Sequence, residues 1–406
     1  MRSQMDYNLL KTQAQAKQAN LVTVRRDLHQ IPEFGLDLPN TLARVLKEVG
    51  HLGEVTLGKD MTAAAVLIKG SQPGPTVLLR ADMDALAVNE DTGLPFSSTN
   101  GYMHACGHDL HMAIGVGAAQ LIAENKDQLK GNVVMFFQPG EEGHDGAGVM
   151  LSQDMHLVSG EKPIAAYGIH VFSMDDPGVF SSRKGTMMAS AGDVIVTLRG
   201  KGGHGSMPWN AVDPITGLIE ILSSIQSYII KHFDALDPIV LNVGWIKAGN
   251  DHTTNIVPEV ASFGATVRSF SKQGYEDTRT KLPAFIKNVA AAFGLEAEIE
   301  FSPATKVLVN NHAAIDRVER MVETVFGEGR YENMEQPIPG GEDMASILEE
   351  IPGAFVFLSA ADPSIPMEKR QANHSNKAVF DDSVLADGAT MLAALAFDTL
   401  DEAAGK

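Results

Sequence analysis

The chain has 406 residues, 44% of them hydrophobic and 20% charged, a globular balance with no disordered or low-complexity signature. Fifty-one acidic against 32 basic residues give a formal charge of −19, which argues against the clustered Lys and Arg of a nucleic-acid partner. The length exceeds what one core usually supports, so two domains are expected, and a single cysteine rules out an internal disulfide.

In chain order, MRSQMDYNLLKTQAQAKQANL is polar and helix-prone, without the apolar run of a signal peptide. No later run reads as long enough to span a membrane, so a cytoplasmic protein with no membrane partner is expected. From residue 1 to 188, helical segments alternate with the short apolar strands AAAVLIKG, TVLLRADMDA, NVVMFFQPGEE and AAYGIHVF. That alternation predicts an α/β domain with a mostly parallel sheet, whose functional groups collect at the strands' carboxyl ends, where Asp82, Asp84, Glu141, Glu142 and His170 fall. Residues 189–302 read β-α-β-β-α-β, the order of an inserted ferredoxin-like α+β unit, and 303–406 resume the first pattern. The expected organisation is a discontinuous catalytic domain (1–188 and 303–406) carrying a lid or dimerisation domain (189–302).

MHACGHDLHMA (103–113) holds the only cysteine and three histidines. Cys106 and His108, at i and i+2 around a glycine, suit a loop that aims both side chains at one point, and thiolate and imidazole are good zinc ligands. A lone cysteine is otherwise a small buried hydrophobe. FFQPGEEG (136–143) places two carboxylates directly after an apolar strand. Glu-Glu is ordinarily a solvated pair, but from a strand end one carboxylate can bind a metal while its neighbour faces the reacting water. His170 in GIHVF alone reads as a core residue, and His374 lies in a polar loop. GKGGHG (200–205) fits G-x-G-x-x-G, yet the residue where a ribose-binding acid would stand, Glu220, falls inside the helix PITGLIEILSS, so a dinucleotide site is disfavoured.

Together these motifs resemble the M20 metallopeptidase family, in its branch of aminoacylases, hippurate hydrolases and indole-acetyl-amino-acid hydrolases. The resemblance rests on RRDLHQIPEFG (25–35), LLRADMDAL (78–86), MHACGHDLHMA, FFQPGEEG, GIHV (168–171), GKGGHGSMP (200–208), TTNIVPE (253–259), GGEDMA (340–345) and NHS (373–375), in family order over nearly the whole chain. It implies two divalent ions, Zn2+ with Mn2+ or Co2+ as alternatives, held by Cys106, His108, Glu142, His170 and His374. It further implies Glu141 as general base and, with Cys106 standing in for the histidine of the wider family's His-x-Asp motif, Asp84 behind the ligands, holding a histidine's tautomer. His104, His111 and His144 are left to local hydrogen bonding or the surface.

In the implied mechanism the ions lower the pKa of a shared water and polarise the amide, Glu141 moves the proton, and His204 with Asn255 stabilises the oxyanion. The fork of Arg268 suits a product carboxylate, with a surface strand arginine as the alternative, and Gly341 joins the substrate-binding residues. The expected activity is hydrolysis of N-acyl amino acids, with N-acyl-glutamine or hippurate-type aminoacylases the nearest named candidates, by a homodimer or homotetramer. The alternatives are a dipeptidase or carboxypeptidase of the same family, an NAD-dependent oxidoreductase using the GKGGHG loop, and a binding relative that has lost its chemistry.

Overall fold

The computed structural model describes residues 5–302 and 305–405. Residue 303, where the first pattern was expected to resume, lies outside the described residues.

The chain divides into two compact units. Unit 1 comprises Met1–Gly185, Val309–Gln336 and Asp343–Lys406, and unit 2 comprises Thr186–Leu308 with Pro337–Glu342. The second piece of unit 2 is a short segment inside what the sequence reads as one continuous return to the first domain.

The N-terminal part of unit 1 runs α1 (Tyr7–His29), α2 (Pro39–Val49), β1 (Glu54–Leu57), β2 (Ala64–Lys69), β3 (Gln72–Asp82), α3 (His108–Glu124), β4 (Lys130–Gln138), α4 (Gly146–Ser152), β5 (Ala165–Phe172) and β6 (Phe180–Ser182). Next come β7 (Gly185–Met188), β8 (Ser190–Arg199), β9 (Gly203–His204), α5 (Pro214–His232), β10 (Ile239–Ala248), β11 (Ile256–Val257), β12 (Val260–Ser269), α6 (Lys272–Ala292), β13 (Glu296–Phe301) and β14 (Leu308–Asn310). The chain ends with α7 (His312–Phe326), β15 (Tyr331–Asn333), α8 (Met344–Glu350), β16 (Gly353–Ser359) and α9 (Leu385–Ala404).

Unit 1 is built on an eight-stranded sheet in the order β1-β2-β4-β3-β5-β16-β6-β15. Its centre, β4-β3-β5-β16, is parallel, while β1, β2 and β6 add antiparallel pairings. The central strands are buried on both faces and so read as continuous apolar runs rather than alternating ones. Val77, Leu79, Val133, Met135, Tyr167, Ile169, Ala354 and Val356 share one cluster with the inward faces of α1, α3, α7 and α9. The terminal segment Asp382–Ala404 is, by length and composition, long and apolar enough to cross a membrane, contrary to the sequence reading, but most of its surface is buried in this core. A run of Ala and Leu suits helix-helix contact within a large core as well as it suits lipid.

Unit 2 is an antiparallel sheet in the order β10-β12-β8-β13 with α5 and α6 packed on one face, the β-α-β-β-α-β arrangement. Asp213 caps α5 through Ile215 N, and Ser271 caps α6 through Gly274 N.

One buried polar cluster ties α1 to α3. Arg25 Nε lies 2.7 Å from Asp109 Oδ2, His29 Nδ1 2.7 Å from the same oxygen, and His29 Nε2 3.2 Å from Glu90 Oε1. Burial alone would raise the Asp109 pKa, but the Arg25 and His29 charges outweigh it and hold the carboxyl well below the usual range. Asp109→Asn is expected to cost about 3 kcal/mol in denaturant unfolding at neutral pH, because buried Arg25 and His29 would lose the carboxylate they share, leaving Arg25 only Asp382 at 3.2 Å. A carboxyl depressed in the folded state contributes stability above its unfolded pKa and loses it as pH falls. The gap between variant and parent should therefore begin to narrow below about pH 4 and close only at far lower pH.

Candidate metal centre and active site

Three neighbouring strands of the parallel centre end together. β3 stops at Asp82, β4 at Gln138 just before the Pro139-Gly140-Glu141-Glu142 turn, and His170 sits near the end of β5. Between β3 and β4, Gly107 stands at the N-terminus of α3 with φ of +86° and joins Cys106 in the loop to His108 on the first helical turn. A Cβ at Gly107 would lie 2.4 Å from Val171 Cγ2, so the position excludes any side chain on both counts. Gly107→Ala is expected to cost about 1–3 kcal/mol for its backbone conformation alone. The accompanying shift of Cys106 and His108 should lower metal content per chain, as read by elemental analysis beside the melting temperature.

The five residues expected as ligands meet in unit 1. Cys106 Sγ is 3.3 Å from His170 Nε2 and 3.2 Å from His374 Nε2, and His374 Nε2 is 3.3 Å from Glu142 Oε1. Glu141 Oε2 lies 3.9 Å from His108 Nε2. Donor atoms fall within 4.8 Å of one another in the sets Cys106-His108-His170, Cys106-Glu142-His374 and His108-Glu141-Glu142. Cys106, His108 and His170 are buried, whereas His374 is largely exposed on its loop. The His374 backbone is left-handed, φ +71°, a conformation that costs free energy unless the surroundings impose it.

Tautomers can be read from the partners. His108 Nδ1 donates to the main-chain oxygen of Asp84 (2.8 Å) and His170 Nδ1 donates to Val171 O (2.9 Å), since a carbonyl only accepts. In both rings Nε2 is then left with a lone pair aimed into the donor cluster. The His108 Nε2 atom is buried with no hydrogen-bond partner, as is Glu142 Oε1. Buried orphan acceptors beside a thiol and a carboxylate call for a cation, so these residues fit the divalent ions the motifs imply. The titration of His374 points the same way: the Cys106 sulfur and the Glu142 carboxylate beside its ring push it up to about 10 against the effect of burial. The field that stabilises a proton here would stabilise a metal ion.

Asp84 meets the histidine chiefly through its main chain. Its carboxylate accepts the backbone N–H groups of Glu141 (2.9 Å) and Glu142 (3.0 Å) and stands 3.7 Å from His108 Nδ1, whose hydrogen bond goes to the Asp84 main-chain oxygen. The side chain fixes the glutamate turn and the backbone fixes the imidazole.

The remaining histidines divide. His111 Nδ1 is 2.5 Å from Asp82 Oδ1 and its Nε2 accepts from Val171 N at 2.8 Å. His104 is buried with neither ring nitrogen hydrogen-bonded, and burial lowers its pKa to about 3. His144 sits edge-on to Phe34. Sequence reasoning missed the support behind the site: Arg80, almost fully buried, pairs with Asp82 (2.6 Å) and Asp343 (2.8 Å), and Gln138 bonds to both Arg80 and Asp343. Burial raises Asp343 to about 6, with Arg80 opposing. An arginine in an apolar strand, flanked by the acids of LLRADMDAL, is the signal that could have found it.

His204, Asn255, Arg268 and Gly341 all belong to unit 2. His204 on β9 pairs with Ile256 on β11, and Gly205 N donates to Asn255 O at 2.8 Å, so His204 and Asn255 are joined. His204 Nδ1 accepts from Ser206 N (3.2 Å) and meets Ser206 Oγ at 2.9 Å, which leaves the neutral ring's proton on an exposed Nε2. Arg268 spends Nη1 on Thr266 Oγ1 and Val267 O and Nε on Pro339 O. A Cβ at Gly341 would lie 2.4 Å from Thr305 Oγ1, so its bareness is a packing requirement. In GKGGHG, a Cβ at Gly200 would lie 2.1 Å from Val212 O, and β9 and a short 3-10 turn precede α5, so no phosphate-cradling helix start follows the glycines.

The family described as peptidase family M20/M25/M40 matches residues 78–398, a span that takes in every one of these groups. The chain is 33% identical over 383 residues to thermostable carboxypeptidase 1 of Saccharolobus solfataricus, covering 93% of this chain and 94% of the relative. It is also 33% identical over 346 residues to N-acetylcysteine deacetylase of Bacillus subtilis, covering 83% and 87%. Among solved structures, the Bacillus subtilis YXEP protein, described as a dinuclear metal-binding peptidase from the M20 family, superposes with a TM-score of 0.79 at 28% identity, covering 95% of this chain and 99% of that one.

Proposed function

Because this chain belongs to peptidase family M20/M25/M40, we propose that it is a metal-dependent amidohydrolase that splits N-acyl amino acids into a carboxylic acid and a free amino acid. The observation that carries this reading is the convergence of buried Cys106, His108 and His170 with half-buried Glu142 and exposed His374, Glu141 standing beside them. Cys106, His108 and His170 would hold one divalent ion, and Cys106, Glu142 and His374 the other. Zn2+ is the proposed ion for a sulfur- and nitrogen-rich set, with Mn2+ or Co2+ as alternatives. When bound, such ions acidify water and polarise the scissile carbonyl. Glu141 then accepts the proton of the attacking water and delivers it to the leaving amine. His204 donates from Nε2, with Asn255, to the oxyanion, and Arg268 faces the product carboxylate through the part of its fork that the main chain leaves over. A thiolate ligand must stay reduced, which suits the cytoplasm.

Elemental analysis combined with turnover of N-acyl amino acids before and after chelation tests this reading. Chelation should abolish turnover and added Zn2+ restore it, whereas activity untouched by a chelator that has demonstrably removed the metal would sink it. The carboxypeptidase named among the relatives favours a second reading, a peptidase of the same family, which would prefer free peptides to acylated amino acids.

We further propose a homodimer in which His204 serves the site of the second copy. β10 is an edge strand that exposes Trp245 and Ile246, a surface suited to a partner. Remixing His204→Ala with Glu141→Gln should restore activity up to about half of the wild-type value per mixed dimer, since one of its two sites carries neither lesion. No recovery despite demonstrated subunit exchange would place His204 with its own chain's site.

A further inference from the structure

We propose that His111 is a positioning residue for His170, acting through the main chain of Val171; the inference rests on the metal reading given above. The β3–β5 ladder ends at Arg80 opposite Gly168, and β3 itself ends at Asp82. Near the end of β5, His170, Val171 and Phe172 therefore continue past β3's pairing and keep only β16, whose Phe357, Leu358 and Ser359 lie opposite them. His111 fills the missing place. One turn along α3 from His108, its ring stands between the two strand ends, donating Nδ1–H to Asp82 Oδ1 (2.5 Å) and accepting Val171 N–H on Nε2 (2.8 Å). Asp82 is held in turn by Arg80 Nη1 at 2.6 Å, and both His111 and Asp82 are buried.

The carbonyl of the same residue, one peptide group further on, does the positioning. Val171 O accepts His170 Nδ1–H at 2.9 Å and Asn373 Nδ2–H, also at 2.9 Å. Asn373 precedes His374 and also donates to Cys106 O at 3.2 Å. The main chain of Val171 thus fixes the tautomer and tilt of His170 through its carbonyl and anchors the loop that carries His374. Without an acceptor for its N–H, Val171 can turn about its own φ and ψ, and a carbonyl that turns away releases the His170 ring. The same bonds explain why His111 is not itself a ligand, although it lies within reach of a grouping with Asp82 and His108: both of its nitrogens are already engaged.

Two variants separate its two bonds. His111→Asn places an amide near Nδ1 and keeps the donor to Asp82, whereas His111→Gln reaches the Nε2 position and keeps an acceptor for Val171. In competition with a chromophoric chelator, Zn2+ affinity should fall about 10–100-fold in the Asn variant, the range typical for groups that orient metal ligands, and stay within about threefold of wild type in the Gln variant. Apo melting temperatures establish that both variants are folded at the assay temperature. Wild-type affinity in the Asn variant, or equal losses in both, would overturn the proposal in favour of simple packing. Independently of any variant, ring 15N spectra of apo wild-type protein should show His111 protonated at Nδ1 and bare at Nε2, and the opposite tautomer overturns it too. Wild-type protein that takes up no Zn2+ overturns the metal reading itself, a result distinct from any difference among variants.

Discussion

Glu141→Gln is expected to retain metal and to lose turnover by about 10²–10⁴-fold, the usual worth of a positioned proton-transfer group. The substitution preserves shape and the backbone bond from Glu141 N to Asp84 Oδ1, so the turn that carries Glu142 stays in place. What disappears is a basic oxygen 3.9 Å from His108 Nε2, beside the donor cluster but outside the five ligands proposed for the ions. Metal content and KM should therefore change little while kcat collapses. Near-parental kcat would remove Glu141 from the proton-transfer role, and loss of metal with kcat would make it a ligand.

Cys106→Ser should lose more. The thiolate is the donor common to two of the three sets, with His170 on one side and His374 on the other. An alcohol is a far poorer ligand than a thiolate, so both ions should weaken, each beyond the roughly 10–100-fold that groups behind the ligands are worth. His374→Ala, by contrast, should empty one position and spare most of the other. Titrating Zn2+ into both apo variants tests this: a Cys106→Ser protein that still binds two ions with parental affinity would make the thiol structural.

The fold was legible where periodicity and length speak. Buried parallel strands announced themselves as apolar runs, and β-α-β-β-α-β order gave unit 2 its ferredoxin-like sheet. The grouping of the candidate donors was legible only from the motifs taken together, because singly a lone cysteine, a Glu-Glu pair and a strand histidine each have an ordinary use other than ligation. What the sequence hid was mostly conformational or long-range. Nothing local says that Asp84 splits its duties between carboxylate and carbonyl, because that depends on where β4 ends in space. The Arg80-Asp343 pair joins residues 263 positions apart, and the role of His111 exists only because β3 stops short of β5's end. α9 carried a composition that core and bilayer share, and only its packing decides between them.

The short piece Pro337–Glu342 bears on how such a protein can be rearranged by evolution or by hand. Ile338 exchanges main-chain bonds with Met187 and Ala189, and Pro339 offers its carbonyl to Arg268, so unit 2 borrows a rib from much later in the gene. Its coding sequence is split in two, and residues 186–308 are not a cassette. Transplanted into another scaffold as one uninterrupted stretch, they would arrive with the N–H of Ala189 and the Nε of Arg268 facing no carbonyl, and recombination would have to carry two separated fragments together to move the whole unit.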